Sequence, residues 1–141
     1  MVVLDTDHMS LLEWSGAQGS VTLRTRLATL QPAEVVTTII SYEEQVRGWM
    51  AYIARIHSIT QQVDAYRRLH RQLGNYCRIP VLAFDAPAAV KFQQLRRTRL
   101  RIGTMDVKIA AIVLSREATL LSRNLADFGQ VPGLQVEDWT T

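Results

Sequence analysis

The chain has 141 residues, 48% of them hydrophobic and 21% charged, with four dispersed prolines and a net charge of +3. This composition points to one soluble domain over residues 1–141 with enough chain for a real core, and it excludes a disordered or fibrous protein. No apolar run approaches the ~20 residues of a membrane span. The lone Cys77 rules out an internal disulfide, and an acid as early as Asp5 argues against a signal peptide, so a reducing cytoplasm is expected.

In chain order, Val2 to Leu4 reads as a short apolar strand. Asp7 is expected to cap a helix through about Trp14, and a second helix covers about Val21 to Leu30 before Gln31-Pro32 breaks it. Val35 to Ile40 is β-branched and apolar, the pattern of a buried strand. Ser41 opens a helix to about Ile56. An amphipathic helix follows from about Gln61 to Tyr76, with Cys77 at its end as a small core filler. Pro80 to Phe84 is a short strand, and Asp85-Ala86-Pro87 caps a helix to about Arg97. Gly103-Thr104 starts a helix to about Arg116 that is apolar on most sides from Val107 to Leu114, and hence buried. Thr119 to Leu121 is a strand, and Leu134 to Val136 a last one.

Strands alternating with helices imply an α/β fold, with a central, mostly parallel sheet and helices on its faces. Ligands of such folds bind at the carboxyl ends of the strands, where helix N-termini also gather. Four acids fall at that edge. Asp5 follows the first strand, and Glu44 is in the first turn after the second. Asp106 is in the first turn of the buried helix, and Asp127 is in the loop after Thr119–Leu121. Asp64, Glu117 and Glu137 fall mid-helix or at the opposite edge, whereas Asp7, Glu43 and Asp85 remain candidates for supporting roles.

Each acid has an ordinary explanation. Asp5 can bond the following loop, Ser41-x-x-Glu44 is a capping-box pattern, Asp106 favours a helix dipole, and Asp127 can close an Asx-turn. Convergence of all four is harder to explain that way. Clustered carboxylates repel and raise one another's pKa unless a cation sits among them, and all-oxygen donors select Mg²⁺ or Mn²⁺. With the four acids set aside, the +3 chain becomes a +7 body around a small acidic spot. That distribution suits an enzyme acting on a polyphosphate.

Four segments carry a family resemblance. They are Val3-Leu4-Asp5-Thr6-Asp7; Ile39-Ile40-Ser41-Tyr42-Glu43-Glu44-Gln45-Val46-Arg47-Gly48; Ile102-Gly103-Thr104-Met105-Asp106-Val107-Lys108-Ile109-Ala110-Ala111; and Ser122-Arg123-Asn124-Leu125-Ala126-Asp127-Phe128 with Val131-Pro132-Gly133-Leu134 and Glu137-Asp138-Trp139. Together they resemble the PIN-domain nucleases, in particular the toxin ribonucleases of bacterial VapBC-type toxin–antitoxin pairs. The family more often has Asn or Ser at Asp7 and Leu at Gln45. Its Glu-x-x-x-Gly spacing to Gly48 selects Glu44 over Glu43.

The resemblance implies a three-layer α/β/α fold and a metal-dependent endoribonuclease. Asp5, Glu44, Asp106 and Asp127 would hold one or two Mg²⁺ or Mn²⁺ ions, and in-line attack would leave a 5′-phosphate and a 3′-hydroxyl. Ser122, Asn124, Asp7 and Arg99 would support the site or contact RNA, with Arg96, Arg97 and Arg101 steering phosphates. Arg67, Arg68, His70 and Arg71 form a second basic group. The implied partners are RNA, a cognate antitoxin and a second copy in a homodimer, extending to a larger toxin–antitoxin assembly, with no membrane. Core packing is the default reading of Trp14, Trp49, Met50, Tyr52 and Ile53, with an antitoxin groove as the alternative. His8, His57 and His70 show no metal-ligand spacing. Two rivals remain. One is a haloacid-dehalogenase-like phosphatase with Asp5 as nucleophile, and the other is a non-catalytic PIN-like module that only binds RNA or protein.

Overall fold

The computed structural model describes residues 1–13 and 16–141. The chain runs β1 (Val2–Leu4), α1 (Thr6–Leu11), α2 (Gln18–Leu27), a 3-10 turn (Pro32–Glu34), β2 (Val35–Thr38), α3 (Ile39–Arg55) and α4 (Ile59–Arg78). It continues through β3 (Val81–Leu82), α5 (Ala86–Arg97), α6 (Thr104–Ser115), β4 (Thr119–Leu121), α7 (Leu125–Phe128) and β5 (Gln135–Glu137).

The strands form one sheet in the order β3-β2-β1-β4-β5, and every pairing is parallel. The register sets Leu4 level with Thr37 on one side and Leu121 on the other. Successive strand residues point to opposite faces, which splits the core in two. Val3 and Leu120 join α5, α6 and α7 through Ala88, Leu95, Ile109, Ile112 and Phe128. Val2, Leu4 and Leu121 join the other face through Met9, Leu23, Tyr76 and Trp139. The result is the expected α/β/α sandwich. The helix α6 is apolar on most sides because Val107 and Ile109 to Val113 are all buried.

The strands β2 and β3 step outward on one side of β1, while β4 and β5 lie on the other. The strand order therefore reverses between β1 and β4. That switch point opens a crevice at the carboxyl edge, the usual ligand position of a parallel sheet.

Several local expectations are corrected. The cap of α1 is Asp5, whose carboxylate accepts from Thr6 N at 2.7 Å; Asp7 lies inside the helix. The helix α2 starts three residues earlier than its apolar pattern suggested, at Gln18. The strand β2 stops at Thr38, because the Thr38 hydroxyl accepts from Ser41 N at 3.1 Å and starts α3 there. Ile39 and Ile40 are helical despite their β-branching, and Ile40 is held by burial in the core. Cys77 is exposed, not a core filler: Tyr76 faces inward, and the next residue lies about 100° around the helix. Glu137 ends β5 at the carboxyl edge, not the opposite one. The four-residue α7 is too short to give a periodic signal.

Candidate active site

Asp5, Ser122 and Asn124 meet because β1 and β4 are neighbours in register. The Asp5 backbone N–H donates to Leu121 O at 2.9 Å, joining the ends of the two strands. Both Asp5 oxygens are engaged: Oδ1 caps α1 through Thr6 N, and Oδ2 accepts from the Ser122 hydroxyl at 2.8 Å. Ser122 Oγ in turn accepts from Asn124 N at 3.1 Å. The support expected of Ser122 and its ordinary turn bonding are thus both present.

Asn124 caps α7 and also donates Nδ2–H to Asp127 Oδ2 at 3.0 Å, which aims that carboxylate. Glu44 reaches the site from α3 and accepts from the Thr6 hydroxyl at 3.2 Å. It does not cap its helix, since Thr38 does. The capping-box explanation for Glu44 therefore fails. Glu43 instead turns to Arg47 in an ion pair at 2.6 Å. Asp106 sits in the first turn of α6, whose N-cap Gly103 supplies no side chain.

The acids feel one another. Burial and then the Asp7 charge push the Asp5 carboxyl up to about 7, with Asp106 adding to the rise against the pull of the Ser122 and Thr6 donors. Burial raises Glu44, and the charges of Asp106, Glu43 and Asp7 add to it. Burial raises Asp106, helped by Asp127 and Asp7. Asp106 is therefore electrostatically linked to Asp5, Glu44 and Asp127 alike. Asp7 acts on Asp5, Glu44 and Asp106, so it belongs to the same group.

Among the described residues, no three His, Cys, Asp or Glu side chains stand as a ready-made metal-holding cluster. The carboxylates share an edge but have not closed on a point, as expected of like charges in a partly desolvated crevice. Asp5, Glu44 and Asp127 have each taken a neutral donor instead. The donor set is all oxygen, and raised carboxylates gain most from a nearby cation. This chemistry fits a hard divalent ion such as Mg²⁺ or Mn²⁺.

Sequence reasoning missed Thr6, His8 and Gln45. The Gln45 amide donates to Ser10 Oγ at 2.7 Å and accepts from the Tyr76 hydroxyl, tying α3 to α1 and α4 beside Glu44. The one available signal was polar residues at helix positions that ought to face the core. Arg99 lies exposed on the turn after α5, with a left-handed φ of 53°, in a crevice shared with Thr104 at the start of α6. Arg96, Arg97 and Arg101 are exposed around it.

The core-packing expectation for the aromatic group is not met. Met50 and Tyr52 are exposed, Trp49 and Ile53 are half-buried, and Trp14 lies outside the described residues. Trp49 packs under the Arg68 guanidinium, 4.8 Å from the ring centre, and edge-on to Tyr52. With Glu13, Gln45 and Gln72 they line a cavity of about 430 Å³.

The PIN domain family model matches residues 2–134, a span that holds all four acids. This chain belongs to the PIN-domain family. The match takes in Asp5-Thr6-Asp7, the segment that also suggested a haloacid-dehalogenase motif. The PIN chain is 36% identical over 88 residues to the tRNA(fMet)-specific endonuclease VapC of Salmonella typhimurium strain LT2, covering 60% of this chain and 67% of that one. It is 30% identical over 66 residues to Ribonuclease VapC2 of Rickettsia felis, covering 44% of this chain and 49% of that protein. The solved DNA-bound VapBC complex of Salmonella typhimurium contains a similar chain. It superposes with a TM-score of 0.77 at 25% identity, over 98% of this chain and 97% of that one. VapBC2 of Rickettsia felis shares the fold, with a TM-score of 0.69 at 19% identity over 99% of both chains.

Proposed function

We propose that this PIN domain is a Mg²⁺- or Mn²⁺-dependent endoribonuclease, the toxin of a VapBC-type pair, held in check by a cognate antitoxin. The observation that carries the reading is the gathering of Asp5, Glu44, Asp106 and Asp127 about the β1–β4 switch point, where burial first and neighbouring carboxylates second raise Asp5, Glu44 and Asp106. Carboxylates brought together at that cost to their ionised forms are the mark of a site built for a cation. The similarity to a tRNA(fMet)-specific endonuclease and to a ribonuclease supports RNA as the substrate class.

Asp5 and Asp106 would hold the ion directly, and Glu44 and Asp127 would complete the oxygen donors. A bound divalent ion supplies positive charge against the phosphate and lowers the pKa of water. Ser122 steadies Asp5, Asn124 steadies Asp127, and the Thr6 hydroxyl steadies Glu44. Arg99 and its basic neighbours would draw the RNA backbone to the crevice. A homodimer and a larger assembly with the antitoxin belong to the same proposal, with the face of α3 around Trp49, Met50 and Tyr52 as the antitoxin's contact surface.

The test is cleavage of RNA with Mg²⁺ or Mn²⁺ against EDTA, in wild type and Asp106→Asn. The variant should fold normally and lose more than the 10–100-fold typical of an outer-sphere defect. Undiminished cleavage by Asp106→Asn would overturn the assignment. Metal binding without any RNA cleavage would favour the non-catalytic module.

A further inference from the structure

One buried polar side chain beside the acids has no place in the mechanism so far. His8 is fully buried in α1, next to the equally buried Met9. An apolar residue would fill that space without desolvating two ring nitrogens. Both nitrogens are instead used. Nε2 accepts from the Trp139 backbone N–H at 3.3 Å, so the ring hydrogen belongs on Nδ1. Nδ1 is 2.6 Å from Asp7 Oδ1 and donates to it. Asp138 Oδ1 stands 3.8 Å from Nε2.

The other Asp7 oxygen is held from a different segment. Oδ2 accepts from Arg123 N at 3.0 Å and lies 3.4 Å from Ser122 Oγ, the hydroxyl that donates to Asp5. The Asp7 side chain is about one-third exposed, so nothing in its packing alone would fix it. Its charge nevertheless acts on Asp5, Glu44 and Asp106. We propose that His8 is a positioning residue: set in α1 against the C-terminal segment, it pins the Asp7 carboxylate against the metal-binding acids. This inference rests on the reading of those acids as a metal site. It extends that reading to a histidine that never touches the ion and to the backbone of Trp139.

Two replacements separate this role from simple anchoring of the C-terminal segment. His8→Asn can keep a donor near the Nδ1 position but offers no acceptor to Trp139. His8→Gln can place an acceptor near the Nε2 position but offers no donor to Asp7. Mn²⁺ affinity would be measured by titration calorimetry on the full chain without RNA, with folding checked by circular dichroism. We expect His8→Gln to bind Mn²⁺ roughly 10-fold more weakly, as for other lost outer partners, and His8→Asn to stay within about threefold of wild type. Adding His8→Gln to Asp7→Asn should cost nothing further, because both remove the same interaction.

Wild-type affinity in His8→Gln, equal weakening in both variants, or additive losses would each overturn the proposal. Should the variants not fold, the wild-type ring decides. Long-range ¹H–¹⁵N spectra should show the hydrogen on Nδ1 and a shift of the ring signals on adding Mg²⁺. A hydrogen on Nε2, or no shift with bound Mg²⁺, would overturn it. Asp106→Asn is the control for the reading beneath. If wild type binds no Mn²⁺, or Asp106→Asn binds it equally well, the metal site itself is wrong. If that control behaves and His8→Gln matches wild type, only the role of His8 fails.

Discussion

Asp5 carries three duties at once: it caps α1, accepts from Ser122, and stands among like charges. Its carboxyl is pushed from the ordinary 3.8 up to about 7, chiefly by burial. For an acid raised in the folded state, the unfolded chain gives up its proton first. Stability of the metal-free protein therefore falls as pH climbs between those two values. At about 1.4 kcal/mol per unit the cost at pH 8 reaches up to roughly 4 kcal/mol. Asp5→Asn should raise the melting temperature of the metal-free chain at pH 8, by at least about 4 °C, with the gain vanishing near pH 4. Thermal scans in EDTA across that range would check it, and a gain that does not change with pH would refute it. At this scale much was legible in the sequence. Asp5 and Asp106 were marked by their place beside a strand and a helix start, and Ser122 and Asn124 by the family resemblance. His8 was not, because the partner that orients its ring, Trp139, comes from the other end of the chain.

The helix α3 shows how an element decides between readings of one residue. The Ser41-x-x-Glu44 pattern allowed either a cap or a site acid, and the start of the helix at Thr38 settles which role Glu44 has free. Thr38→Val should lower stability by about 1 kcal/mol through the lost bond to Ser41 N. Glu44→Gln should leave the urea midpoint unchanged or raise it, since it removes a repelled charge and no cap. A Glu44→Gln variant destabilised as much as Thr38→Val would restore the capping explanation. Gly48 lies within the same helix, and a Cβ added there meets nothing within 4 Å. Among the described residues, no packing constraint demands this glycine. Gly48→Ala should stabilise the isolated chain by about 0.5–1 kcal/mol, read from urea unfolding with an unchanged slope. By contrast, the Val131-Pro132-Gly133-Leu134 turn does require glycine, with Gly133 at φ 79°. The pattern found where elements lie but not their edges. The boundary of β2 with α3 turned on a threonine hydroxyl, which hydrophobic periodicity does not register.

Across the molecule, a sheet with helices on both faces leaves its carboxyl edge as the open crevice, and the acids collect there. The surrounding chain is basic, carrying +7 once four acids are set aside from its net +3. If that body draws RNA, affinity of the cleavage-dead Asp106→Asn variant for single-stranded RNA should fall with salt. The expected slope of log K on log salt is about −0.7 for each phosphate neutralised. Arg99→Ala should flatten it by about one phosphate contact, measured by fluorescence anisotropy at several salt concentrations. An unchanged slope would remove Arg99 from the RNA path.

The sequence by itself determined the alternation of strand and helix, the parallel sheet, the family, and the edge at which Asp5, Asp106 and Asp127 stand, though not that of Glu137. Those features are local, written in apolar periodicity and in short motifs around Asp5, Asp106 and Asp127. Tertiary structure alone decided which local alternatives were taken. It freed Glu44 by placing the cap at Thr38, exposed Cys77 by the rotation of α4, and left Trp49 and Tyr52 out of the core. It also joined Asp7 to His8, Trp139 and Arg123. That last junction depends on hydrogen bonds between segments up to 131 residues apart, which no window along the chain contains.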